Sequence, residues 1–114
     1  MQKTLFQKIA DKEIPADIVY EDELCVAFRD IAPAAPVHIL LIPRKPITDI
    51  AAATAEDAAL LAHLMLKVGD IARAEGLAES GFRTVMNTGA EAGQTVFHLH
   101  IHIIGGRSMQ WPPG

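Results

Sequence analysis

Thr95-Val96-Phe97-His98-Leu99-His100-Ile101-His102-Ile103-Ile104 decides how the rest of this 114-residue chain is read. Three of the five histidines stand here, two residues apart, with apolar residues between them. Alternation of this kind is the period of a half-buried strand, in which successive side chains point to opposite faces. Phe97, Leu99, Ile101 and Ile103 then form an apolar face that packs on a core. His98, His100 and His102 share the other face, roughly 6.5–7 Å apart along the strand. A helix would scatter the same three rings around its circumference. Imidazoles grouped on one face need partners for their ring nitrogens, so this strand is expected to carry chemistry.

Working outward, Val37-His38-Ile39-Leu40-Leu41-Ile42 is apolar on both faces except at His38 and reads as a central strand stopped by Pro43. Ile18–Glu21 and Leu24–Phe28 read as two strands joined by an acidic turn at Asp22, and Phe82–Asn87 as another. The spacing predicts a short helix over Thr4–Ala10, with Thr4 and Gln7 at capping-box positions and Pro15 ending the segment. A long helix is expected over Ala55–Glu75, capped by Thr54 and stopped by Gly76. Leu60, Leu61, Leu64, Met65, Val68, Ile71 and Ala72 make its core stripe, and His63 falls on its flank. The sum is an α+β domain: a five-stranded antiparallel sheet in hairpin order with one long and one short helix. The long helix covers one face, so the histidine face looks outward into a cleft. No repeat or boundary divides residues 1–114, which read as a single domain.

Half the residues are apolar and the formal net charge is −4. That balance excludes general nucleic-acid binding, which needs a basic stripe, but leaves small phosphorylated ligands open. The single cysteine, Cys25, excludes an intramolecular disulfide and fits a reducing compartment. With no leader-like start and no long apolar run, the chain is expected to be cytoplasmic and off the membrane.

Three chemistries suit a His-x-His-x-His strand. A metal site wants a further carboxylate or cysteine, and only Glu91 lies near in sequence, so no metal or cofactor is expected. Nucleophilic catalysis needs one imidazole to attack while the others orient it and bind charge. Passive anion binding needs no turnover. Phosphorus suits the second reading, because a phosphoryl-imidazole forms and hydrolyses readily. The central His100 is the best nucleophile candidate, with Gln94, Thr95, His102 and the amides near Gly93 as donors to phosphate oxygens.

His98-Leu99-His100-Ile101-His102 resembles the signature of the histidine triad (HIT) superfamily. The likeness extends to Phe6-Gln7-Lys8-Ile9, Phe28-Arg29-Asp30-Ile31, Ala35-Pro36-Val37-His38, Gly105-Gly106-Arg107 and Trp111-Pro112-Pro113-Gly114. These runs resemble the Hint branch, the histidine triad nucleotide-binding proteins, which are purine nucleoside phosphoramidases. The resemblance implies a HIT-like fold over residues 1–114 and a homodimer whose sheets join into one of ten strands. It implies hydrolysis of the P–N bond of adenosine or guanosine 5′-monophosphoramidates, and of acyl-adenylates by extension, with purine nucleotides as partners. By position His100 is then the nucleophile, His98 holds its ring through a backbone carbonyl, His102 contacts phosphate, and His38 completes the network. Asp30 binds the ribose, Phe6 and Ile31 flank the purine, and Asn87, Gly93, Gln94 and Thr95 surround ribose and phosphate. Trp111 reaches towards the partner subunit's site. Thr95 replaces a serine common in Hint proteins, keeping the hydroxyl. Asp30 also suits a turn before the proline loop, Asn87 a strand end, and Trp111 plain dimer packing. Two functional alternatives stand beside this one: a non-catalytic nucleotide-binding scaffold, and a dinucleotide polyphosphate hydrolase of the same superfamily.

Overall fold

The structure, a computed structural model, describes residues 2–114. Thr4 accepts from the Gln7 amide at 3.1 Å and caps α1 (Leu5–Ala10), which buries Phe6, Ile9 and Ala10. The cap matters because a helix this short is marginal without tertiary support. The helix ends at Ala10, before Pro15 can act, where Lys12 takes a φ of 61° and Arg44 Nη1 donates to the Ala10 carbonyl at 2.9 Å. There follow β1 (Ile18–Glu21), β2 (Cys25–Arg29), β3 (Val37–Pro43), α2 (Ala58–Ala74), β4 (Phe82–Val85) and β5 (Ile101–Gly105). Every pairing is antiparallel and the sheet order is β1-β2-β3-β5-β4. The hairpin order expected from the sequence therefore holds for β1 to β3 and for β4 with β5, and fails only between β3 and β4. α2 carries the chain past one position to β4, and β5 returns into the gap beside β3.

Side chains alternate across this sheet. Cys25, Ala27, Ile39, Leu41, Ile101 and Ile103 face α2, where Leu64, Val68, Ile71 and Ala72 cover them. Val26, Phe28, Leu40 and Ile42 face the other way and meet Phe6, Ile9 and Ala10 of α1. Each of the buried Val, Leu, Ile and Phe side chains among them contributes about 1.5–3 kcal/mol. Gly105 is required where β5 passes the chain leaving α2: a Cβ there would stand 2.8 Å from Leu77 Cδ2.

Several expectations are corrected. Thr95–His100 is not strand; β5 begins at Ile101. The opposing strand ends in Pro43, which has no N–H for a ladder, and its carbonyl is taken by the His98 ring. The Leu99 amide goes instead to the Ile47 carbonyl at 2.7 Å. Phe97, outside the strand, is half exposed and does not join the core, whereas Leu99, Ile101 and Ile103 do. The histidine face does not open freely to solvent, since α1 lies over it and leaves His98 and His100 buried. The long helix starts at Ala58 after two short 3₁₀ turns, with Asp57 Oδ2 accepting from the Thr54 amide. Met65 leaves the expected stripe and is 51 % exposed beside the exposed Leu66. His63 does lie on the flank of the helix, half-buried, where its Nε2 sits 2.7 Å from Asp22 Oδ2. Among the described residues no helix is long and apolar enough to cross a membrane.

Candidate active site

Register brings the first two rings together. Leu40 pairs with His102 and His38 with Ile104, so His38 and His102 are diagonal neighbours on one face of β3 and β5. Their nitrogens, His38 Nε2 and His102 Nδ1, are 2.9 Å apart. The tautomers follow from the outer partners. The Ala34 amide donates to His38 Nδ1 at 2.9 Å, so in the neutral ring the proton is on Nε2. His38 Nε2–H then donates to His102 Nδ1, and the His102 proton is left on its own Nε2. Asp30 Oδ2 stands 3.5 Å from His38 Nε2, while Oδ1 accepts from the Ala32 amide at 2.8 Å and fixes the loop.

His100 has the opposite arrangement. Its Nδ1 is 2.7 Å from the His98 carbonyl, which can only accept, so Nδ1 carries the proton and Nε2 holds the lone pair. No described residue bonds Nε2. The His100 and His102 rings stand edge-on with centroids 5.0 Å apart, so the ring that keeps a lone pair on Nε2 neighbours one protonated on Nε2. Burial first, then the neighbouring His100 and His38 rings, push His102 down to about 4, with Asp30 opposing. His102 is therefore neutral near pH 7.

His98 is an anchor. Its Nε2 donates to the Pro43 carbonyl at 2.8 Å, and Nδ1 lies 3.3 Å from the Thr4 hydroxyl. Burial holds this ring below the ordinary imidazole value. The Phe6 ring stands edge-on to His100 with centroids 4.9 Å apart and edge-on to Phe28 at 5.5 Å.

Next to these rings is a mostly apolar cavity of about 270 Å³, lined among others by Phe6, Ile9, Phe28, Asp30, Ile31 and Leu40. Ile31 is fully exposed at its rim. A groove of about 410 Å³ lies beside Lys3, Thr4, Gln7 and Phe97; no histidine lines either hollow, and the first is tied to the rings through Phe6, which stands against His100. The chain before the triad forms a turn between Gly89 and Gly93, with φ of 84° and 94°. Gln94, expected to donate to phosphate, is instead buried with its side chain spent on backbone groups of this loop and of Thr48. Oε1 accepts from the Gly89 amide at 2.8 Å, and Nε2 donates to the Thr48 and Val96 carbonyls. Gly93 and Thr95 are exposed and Asn87 is half-buried beside Gly93. Trp111 is 83 % exposed on the C-terminal tail.

The four histidines, Asp30 and Phe6 are thus brought into one site, and Ile31 stands at its edge. The Pro43 carbonyl, the Thr4 hydroxyl contact and the bracing role of Gln94 were not foreseen. Only the Thr4 cap had a sequence signal. For a metal, Asp30, His38 and His102 offer ligand atoms within 4.8 Å of one another, but the two imidazole nitrogens already share a hydrogen bond. Asp22, Cys25 and His63 form a similar group, in which the Asp22 oxygens already accept from Tyr20, Leu24, Cys25 and His63.

The sequence and the fold are similar to those of known proteins. The HIT domain family model matches residues 11–109. An uncharacterized HIT-like protein of Synechococcus elongatus is 65 % identical over 113 residues, 99 % of this chain and 98 % of that protein. A HIT family hydrolase from Legionella pneumophila superposes with a TM-score of 0.96 at 49 % identity, covering 98 % of this chain and 100 % of the other. A histidine triad protein from Clostridium difficile gives 0.91 at 37 % identity, covering 96 % and 97 %. The fold is that of HIT family hydrolases, and the chain belongs to the HIT domain family.

Proposed function

We propose that this chain is a purine nucleoside phosphoramidase of the Hint type, acting through a nucleotidyl-histidine. The observation that carries the reading is the His100 Nδ1 bond to the His98 carbonyl, which leaves Nε2 unprotonated and without a partner among the described residues. His100 Nε2 attacks the phosphorus of a nucleoside 5′-monophosphoramidate and the P–N bond breaks. Nδ1–H stays on the carbonyl as positive charge develops on the ring. When the anionic phosphate arrives, the His38–His102 pair takes one proton from solvent and delivers it to the departing amine. Water then attacks the phosphorus, returns a proton to the pair and releases His100. His102 and the exposed Thr95 bind the non-bridging oxygens, since the Ala92, Gly93 and Gln94 amides already donate to carbonyls of their own loop. The purine enters the cavity against Phe6 and Ile31, and the ribose hydroxyls meet Asp30.

Two copies are expected to pair. β4 is an edge strand with a free ladder, and α2 exposes Met65 and Leu66. Pairing along β4 would join two five-stranded sheets and bring the exposed Trp111 tail towards the neighbouring site. Rapid quenching with an adenosine 5′-phosphoramidate, followed by intact mass, tests the chemistry. Wild type should show a transient adduct of one nucleoside monophosphate and His100→Ala neither adduct nor turnover. Binding without either in wild type would favour a non-catalytic nucleotide-binding protein.

A further inference from the structure

α1 forms one wall of the base cavity through Phe6 and Ile9, yet it is six residues long. It is held at both ends. Arg44 bonds the Ala10 carbonyl at its C-terminus, and Thr4 bonds His98 at its N-terminus. Among the described residues the Thr4–His98 contact is the one hydrogen bond joining this helix to the histidine segment. Its direction follows from the ring. His98 Nε2 must donate to the Pro43 carbonyl, so neutral His98 Nδ1 accepts and the Thr4 hydroxyl donates. The same Thr4 oxygen accepts from the Gln7 amide as helix cap. The His98 residue thus pinned supplies the carbonyl that orients His100.

We propose that Thr4 is a positioning residue, its hydroxyl coupling the helix that walls the base cavity to the His98 carbonyl that aligns His100. This rests on the nucleotide-site reading above and adds that occupancy of the base cavity is transmitted to the nucleophile. A base packed on Phe6 loads α1. The load passes through the Thr4 hydroxyl to the His98 ring, and through that residue's own carbonyl to His100 Nδ1. Binding energy from a non-reacting part of the substrate is thereby used to align the reacting ring.

The test uses adenosine, which has a base and no phosphate, and follows the His100 ring-nitrogen NMR resonances in the full chain. In wild type and in Thr4→Ser, which keeps both cap and donor, saturating adenosine shifts these resonances. In Thr4→Val, adenosine binds roughly fivefold more weakly, the scale of one lost cap, and at saturation the His100 shift disappears. Thr4→Gly, a tolerable helix cap without a hydroxyl, gives the same loss of shift and stands in if the valine variant does not fold. A wild-type shift in either hydroxyl-free variant, no shift in wild type, or failure of serine to restore it would overturn the coupling. The phosphoramidase reading is judged separately by the His100 adduct. An adduct without the adenosine-linked shift sinks only the coupling, and the shift without an adduct sinks only the chemistry.

Discussion

His102 ties stability to pH in a way that can be worked out in advance. Its folded value lies at about 4, against 6.5 for the ordinary imidazole, and burial is the main cause. Because the folded value is depressed, the unfolded chain takes up the proton first as pH falls. Stability is therefore full above the unfolded value and is lost as pH falls towards the folded one. The complete loss from this ring is about 3 kcal/mol, and about 2 kcal/mol of it comes between pH 7 and pH 5. That window lies above the carboxylates, so acid groups such as Asp22 do not obscure it. His98, also depressed by burial, adds a loss of the same sign. The perturbation is His102→Gln, whose side-chain oxygen can still accept from His38 Nε2–H but carries no titrating group. Urea unfolding of both proteins at pH 7 and pH 5, at one protein concentration because association shifts apparent stability, gives the comparison. The wild type should lose about 2 kcal/mol more than the variant between the two conditions. Equal losses would mean that His102 is not held neutral by its surroundings, and the tautomer chain from Ala34 through His38 would have to be abandoned.

Other perturbations test other parts of the structure. Gly105→Ala places a Cβ 2.8 Å from the buried Leu77 side chain and should cost about 1–3 kcal/mol in chemical denaturation, part of which a smaller residue at position 77 restores. Gly93→Ala forces a non-glycine residue to a φ of 94° at a cost of about 1–3 kcal/mol, so the urea midpoint should fall and nucleoside monophosphate titration should show weaker binding; an unchanged midpoint would mean that the loop adopts another path. Cys25 is fully buried, and burial followed by Asp22 pushes its thiol up to about 12. A thiol reagent at pH 8 should therefore leave it unmodified in the native protein and modify it in urea. Asp22→Asn should lower stability, since Tyr20, two backbone amides and His63 outweigh burial in holding this carboxyl well below its usual range; an unchanged urea midpoint would show that the network is dispensable.

Much of this molecule is legible in residue order. The apolar run Val37–Ile42 marks the central strand because a strand covered on both faces has no place for polar residues except where chemistry needs one, at His38. The α2 stripe through Leu64, Val68 and Ile71 and the Thr4 cap are local patterns with local causes. The repeat of three histidines marks the segment where the imidazoles gather, and that repeat with the adjoining runs resembles the HIT family to which the chain belongs. The alternation that suggested a ten-residue strand misled, because a period of two records which side chains are apolar and says nothing about where the backbone hydrogen bonds go.

Those bonds were settled by contacts between segments far apart in sequence. Pro43 ends the ladder for β5, and its carbonyl captures His98 across 55 positions. The strand order β1-β2-β3-β5-β4 follows from α2 packing across the sheet, which no local window contains. The protons on His38, His100 and His102 depend on the Ala34 amide and the His98 carbonyl, and those depend on loop paths. Sequence alone determined which residues supply imidazole chemistry and which faces are apolar, because side-chain type and period are local properties. Only the tertiary structure decided which imidazole keeps a lone pair and which presents an N–H, because a tautomer is set by whichever partner reaches the other ring nitrogen.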